Sequence, residues 1–150
     1  MKIWIDADGC PRDIREIVFK ASERLRVPVD VVANSPVATP SRSWITFTQV
    51  PSGQDVADSF IVDRIKAHDL VITSDIPLAA RAVEKGALAL SHRGELWTED
   101  NVRERLSMRD FMAGLRESGI ETGGPRPMDK ADRRRFADAF DRLLARRQSP

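Results

Sequence analysis

Three short segments of the chain close on carboxylates: Ile3-Trp4-Ile5-Asp6-Ala7-Asp8, Gly53-Gln54-Asp55-Val56-Ala57-Asp58 and Leu70-Val71-Ile72-Thr73-Ser74-Asp75. Aspartates offer only oxygen ligands, which suit Mg²⁺ or Mn²⁺ rather than zinc. Two carboxylates about 4 Å apart repel by about 1 kcal/mol in water, and by about 4 kcal/mol at an effective dielectric of about 20. A fold that gathers Asp6, Asp8, Asp55, Asp58 and Asp75 therefore needs a cation or a proton between them. Divalent ions held in this way activate water and stabilise the leaving oxygen of a phosphodiester. The remaining chemistry-bearing types do not compete with this reading. His68 and His92 are isolated, and Cys10 is the single cysteine. No Cys/His spacing supports a zinc site.

The elements that must position these acids follow from periodicity and breakers. Lys2–Asp6 reads as a short buried strand. Pro11 suits the first turn of a helix that carries Ile14, Val18, Ala21 and Leu25 at helical spacing. Val29–Val32 is a second strand, residues 34–43 are a loop, and Trp44–Val50 is a third strand. A helix starts at Asp55 and buries Phe60, Ile61 and Ile65. Asp69–Thr73 is the next strand. Ile76–Lys85 is a helix with Pro77 in its first turn and Gly86 at its end. Ala87–Leu90 is expected as the last strand. Beyond it, Thr98 is the expected N-cap of a helix that starts near Asn101, with an apolar stripe of Val102, Leu106, Phe111, Met112 and Leu115. Gly119 and Gly123-Gly124-Pro125 break that helix. A final one runs from about Asp129 with Phe136, Phe140, Leu143 and Leu144 inward.

Alternating strands and helices imply an α/β fold: a Rossmann-like three-layer sandwich with a mostly parallel central sheet and extra helices at the C-terminus. Residues 1–150 read as one domain. In such sheets ligands bind outside the carboxyl ends of the strands. Asp6 and Asp75 are expected at strand ends, Asp8 in the following turn, and Asp55 and Asp58 on one face of a first helical turn. All five then share one edge of the sheet. Each also has a plainer role open to it, as an N-cap or a partner of a helix dipole. Thr73 and Ser74 are candidates for phosphate binding through hydroxyls or N–H groups, or ordinary strand-end residues. Arg93 is a candidate phosphate clamp on the same edge. Cys10 reads as structural.

At 150 residues, with 41% hydrophobic and 31% charged residues, the chain suits an ordinary globular domain with a sizeable core. No apolar run is long enough to span a membrane, and the N-terminus does not read as a signal peptide. With one cysteine and no internal disulfide, the expectation is a reducing, cytoplasmic setting. The net charge of +1 hides an asymmetry, because residues 101–150 carry 12 Lys/Arg against 8 Asp/Glu. An acidic site beside a basic surface suits a polyanion such as RNA or single-stranded DNA.

The chain resembles the bacterial YaiI/YqxD family, also called UPF0178 or DUF188. The resemblance rests on Asp6-Ala7-Asp8-Gly9-Cys10-Pro11, Gly53 to Asp58, Asp69 to Ala79, Arg93-Gly94, Asn101 and Gly124-Pro125-Arg126-Pro127. That family is grouped by resemblance with PIN-like domains, whose nuclease members bind Mg²⁺ or Mn²⁺ through clustered aspartates. The resemblance implies a metal site of Asp6, Asp58 and Asp75, with Asp8 and Asp55 beside it. It also implies a further late acid, for which Glu95 and Asp100 are the candidates.

Three readings follow. The first is a metal-dependent nuclease, with Asp6, Asp58 and Asp75 at the metal, Asp8 or Asp55 orienting water, and Thr73, Ser74 and Arg93 toward substrate. The second is a non-catalytic module that binds RNA or a protein. The third is a phosphatase of haloacid-dehalogenase type, whose opening Asp6-Ala7-Asp8 resembles, although Gly9-Cys10 stands where Gly-Thr is expected.

Overall fold

Alternation along the first strand decides which layer receives which side chain. The computed structural model describes residues 1–124 and 126–147. In β1 (Ile3–Asp6), Ile3 and Ile5 point to one face of the sheet and Trp4 to the other. Against the first face pack α1 (Arg12–Leu25), through Ile14 and Val18, and the final helix, through Phe136, Phe140, Leu143 and Leu144. Against the second pack Ile61, Leu78, Ala79 and Ala82 from two further helices. The period of two therefore sends Asp6 to the Trp4 face.

The order of elements is β1, α1, β2 (Val29–Ala33), β3 (Ile45–Gln49), α2 (Val56–Arg64), β4 (Leu70–Ile72), α3 (Ile76–Glu84), β5 (Leu88–Leu90), β6 (Leu96–Trp97), α4 (Glu99–Glu117) and α5 (Lys130–Arg146). They build a six-stranded sheet in the order β3-β2-β1-β4-β5-β6. All neighbours are parallel except β5 and β6. From β1 the chain first builds outward through β2 and β3. It then crosses back over β1 by way of α2 and builds outward the other way from β4. The reversal falls between β1 and β4, and a crevice at such a point is where open α/β sheets bind ligands.

Two expectations are corrected. Ala87–Leu90 is not the last strand: β6 adds an antiparallel edge, too short to show as an apolar run. The stripe expected on α4 does not pack as one face. Val102 is buried, but Phe111 is 61% exposed. At about 100° per residue, Val102 and Phe111 stand half a turn apart, so no single side of the helix buries both. Elsewhere the boundaries lie close to expectation. Asp129 caps α5 through the N–H of Asp132, and Thr98 and Asn101 form a reciprocal capping box on α4. The break at Gly119 is present, with α4 ending at Glu117. Pro125, read as part of the next break, lies outside the described residues. No helix among the described residues is long and apolar enough to cross a membrane.

Candidate functional site

The carboxyl ends of β1 and β4 flank a cleft of about 370 Å³ whose lining includes Asp6, Asp8, Asp55, Asp58 and Asp75. Each acid is placed by a different local device. Asp6 is the last residue of β1 and is buried. Asp8 lies in the turn beyond it, where its Oδ2 accepts the N–H of Asn34 at 2.9 Å and ties that turn to the end of β2. Asp55 occupies the N-cap position of α2 in the left-handed region, at φ 62°, without a side-chain capping bond. That turn directs the first turn of α2, and with it the buried Asp58, to the sheet edge. Asp75 caps α3 by accepting the N–H of Leu78 at 3.0 Å. It stands three residues past the end of β4 rather than on it.

Capping thus accounts for part of Asp75 and for none of Asp6 or Asp8, since α1 begins after Pro11 with no side-chain cap. The electrostatics of the group are those of crowded acids. Burial pushes the Asp6 carboxyl up to about 7; the hydrogen bond from Thr73 opposes this, and the charges of Asp58, Asp75 and Asp8 add to it. Burial likewise pushes Asp58 up to about 6, reinforced by Asp75 and Asp55 and slightly offset by Arg81.

Thr73, Ser74 and Arg93 stand outside the lining of this cleft. Thr73 is wholly buried. Its hydroxyl donates to Oδ2 of Asp6 at 2.8 Å and accepts the N–H of Asp75 at 3.0 Å, so it holds two acids in place. Ser74 accepts the backbone N–H of His92 at 3.3 Å. Arg93 is engaged with Asp132, 2.8 Å away. Glu95 pairs with Arg105 at 2.9 Å, and neither it nor Asp100 lines the cleft. Cys10 is buried and its thiol is pushed up to about 12 by burial, which keeps it protonated.

The cation that the sequence reading missed is Arg109 of α4, which shares the lining of the cleft with the acids and lies 3.5 Å from Asp110. A signal for it exists in the pattern. Val102, Leu106, Arg109 and Ala113 recur at spacings of four, three and four, so Arg109 stands on the side of α4 that carries the buried Val102. Among the described residues, no three His, Cys, Asp or Glu side chains are arranged, as they stand, to hold a metal ion.

The comparisons with known proteins agree on kinship. Residues 4–146 match the family described as "Uncharacterized BCR, YaiI/YqxD family". A curated UPF0178 protein of Hydrogenovibrio crunogenus is 56% identical over 97% of this chain and 97% of its own length. One from Citrifermentans bemidjiense is 58% identical over 97% of this chain and 95% of its own length. One from Vibrio parahaemolyticus is 54% identical over 98% of this chain and all of its own length. No solved structure matches the chain at a comparable level of significance.

Proposed function

The chain belongs to the YaiI/YqxD (UPF0178) family, and from that premise we propose that it is a divalent-metal-dependent nuclease of PIN-like type acting on RNA or single-stranded DNA. One observation carries the reading. Five aspartates line one cleft at the reversal point of a parallel sheet, and two of them are pushed toward neutrality by burial and by one another. A fold gains no stability from such crowding, whereas a cation bound there relieves it.

The donor set fits Mg²⁺ or Mn²⁺ in type and charge, being all oxygen and strongly acidic. Asp6, Asp58 and Asp75 would hold the ion, with Asp8 and Asp55 beside it. Bound there, it supplies Lewis-acid stabilisation of a phosphodiester under attack by water. The chain's own residues do the rest. Asp8 or Asp55, beside the ion in the cleft lining, would orient the attacking water. Thr73 fixes the rotamer of Asp6. Arg109, in the lining of the cleft, would hold a phosphate oxygen and stabilise charge that grows on it.

The decisive experiment is calorimetric titration with Mn²⁺ and Mg²⁺, paired with cleavage of a labelled single-stranded RNA, on wild type and Asp6→Asn. Saturable binding and cleavage, both lost in Asp6→Asn, support the proposal. Absence of binding at millimolar metal sinks it. A second reading, a non-catalytic RNA- or protein-binding module, is favoured by the side chains that already have protein partners, Asp8 with Asn34 and Asp75 with Leu78. RNA retained in metal-free buffer and left intact with either metal would select it.

A further inference from the structure

A second cluster of charge lies outside the cleft, and it has the opposite sign. Asp132 is fully buried, and three arginines converge on its carboxylate. Arg126 takes both oxygens, with Nη1 2.6 Å from Oδ2 and Nη2 2.8 Å from Oδ1. Arg93 Nη1 donates to Oδ2 at 2.8 Å, and Arg135 Nη2 donates to Oδ1. Arg93 also reaches the carbonyl of Arg126, so two of the arginines are tied to each other as well as to the acid.

One bidentate arginine satisfies a buried carboxylate. Two more, with Asp129 3.4 Å from Arg126 as the second acid of the group, leave a local charge of +1 around Asp132, beyond what the buried carboxylate itself requires. The fold nonetheless goes to some length to assemble the group. Arg93 comes from the loop after β5, Arg126 from the segment before α5 and Arg135 from α5 itself. The loop docks closely enough that a Cβ on Gly94 would lie 2.5 Å from the carbonyl carbon of Arg135. The side chains of Arg126 and Arg135 are 56% and 55% exposed, so donors not used on Asp132 face solvent. A guanidinium carries five N–H donors in a planar fork that matches phosphate, and one already held in place loses little rotamer freedom on meeting an anion.

We propose that Arg93, Arg126 and Arg135, organised by Asp132, bind the phosphodiester backbone of a single strand as an anchor separate from the cleft. The proposal rests on the nuclease reading for its choice of polyanion. Its position suits that choice. The loop that carries Arg93 also carries His92, whose backbone N–H meets Ser74 beside Asp75. One short loop therefore separates the anchor from the acids, on the same edge of the sheet.

The test is fluorescence anisotropy with a labelled oligothymidylate at low salt, with EDTA present so that neither metal nor cleavage contributes. Arg126→Gln and Arg135→Gln are each expected to weaken binding by about tenfold, the loss of a charged hydrogen bond. Each is also expected to reduce the slope of log affinity against log salt by about 0.7. Arg126→Lys keeps the charge and is expected to fall between wild type and Arg126→Gln. Arg24→Gln, an equal loss of charge at an exposed position in the last turn of α1, should bind like wild type. Thermal melts confirm that the variants are folded. Wild-type affinity in both Gln variants, or no wild-type binding at low salt, overturns the anchor. Equal affinity for inorganic polyphosphate overturns its assignment to nucleic acid. Mn²⁺-dependent cleavage is read separately: its persistence at the wild-type rate in Asp58→Asn sinks the nuclease reading, whereas the anchor stands or falls on the affinity of the two Gln variants.

Discussion

The hydroxyl of Thr73 donates to Oδ2 of Asp6 at 2.8 Å, joining the residue that follows β4 to the last residue of β1 beneath the cleft. The same oxygen accepts the N–H of Asp75 at 3.0 Å, so one buried hydroxyl sets two acids at once. Thr73→Val keeps the shape and removes both bonds. It is expected to cost about 1–3 kcal/mol in urea denaturation. It should also move the Asp6 carboxyl further up, because the Thr73 bond is what holds it down. A carboxyl titration followed by NMR that leaves Asp6 in place would refute this role.

Stability should depend on pH through the same cluster. The Asp6 carboxyl rises from 3.8 to about 7 on folding, so between about pH 4 and 7 the folded chain holds more protons than the unfolded one. Its contribution is present at the acid end of that window and is lost as pH rises through 7. Asp58, at about 6, acts in the same sense. His92 acts in the other, since burial lowers it from 6.5 to about 4 and the neutral ring is favoured as pH rises. The wild-type profile therefore mixes opposing slopes, and a difference isolates Asp6. In EDTA, Asp6→Asn should be more stable than wild type above pH 7, and the advantage should vanish toward pH 4. Denaturation curves showing the same difference at every pH would contradict the account.

Two glycines with similar backbones should respond very differently to alanine. Gly9 and Gly94 both have left-handed φ, 83° and 85°. A Cβ at Gly9 meets nothing within 4 Å, whereas at Gly94 it would sit 2.5 Å from backbone carbon and 2.6 Å from backbone oxygen of Arg135. Gly9→Ala should cost about 1 kcal/mol, the conformational penalty alone. Gly94→Ala should cost well over about 2 kcal/mol and separate the β5–β6 loop from α5. Equal losses in chemical denaturation would show that the close approach is not what Gly94 serves.

The parts of the fold that periodicity carries were readable in the chain. Ile3, Trp4 and Ile5 announce a buried strand, and Phe136, Phe140, Leu143 and Leu144 a helix with one inward face. Strand ends then place the acids at one edge. Interactions between segments distant in sequence were not readable. Arg93 was read as a phosphate-clamp candidate or a surface arginine, and its pairing with Asp132, a residue whose burial no local pattern signals, was not foreseen. Thr73 was read as either a phosphate-binding candidate or an ordinary strand-end residue, and its hydroxyl lies between two aspartates. Arg109 reached the cleft because α4 turns that side toward it, and its helical spacing from Val102 was the one hint of this. The two-residue β6 is below the length at which alternation carries a signal.

That misreading of α4 yields a sharp prediction about two phenylalanines. Phe111 is 61% exposed, while Phe140 is fully buried and stacks on Phe136 with ring centroids 5.6 Å apart. Burial of the ring, rather than membership of an apolar stripe, sets what each contributes to folding. Phe140→Ala opens a cavity between α5 and the sheet and should cost about 3–5 kcal/mol. Phe111→Ala removes a ring that water already reaches and should change stability by no more than about 0.5 kcal/mol. Denaturation of both variants at low protein concentration checks this. A loss at Phe111 comparable to that at Phe140 would mean that α4 packs through its Phe111 side after all, and would restore the single stripe that the sequence suggests.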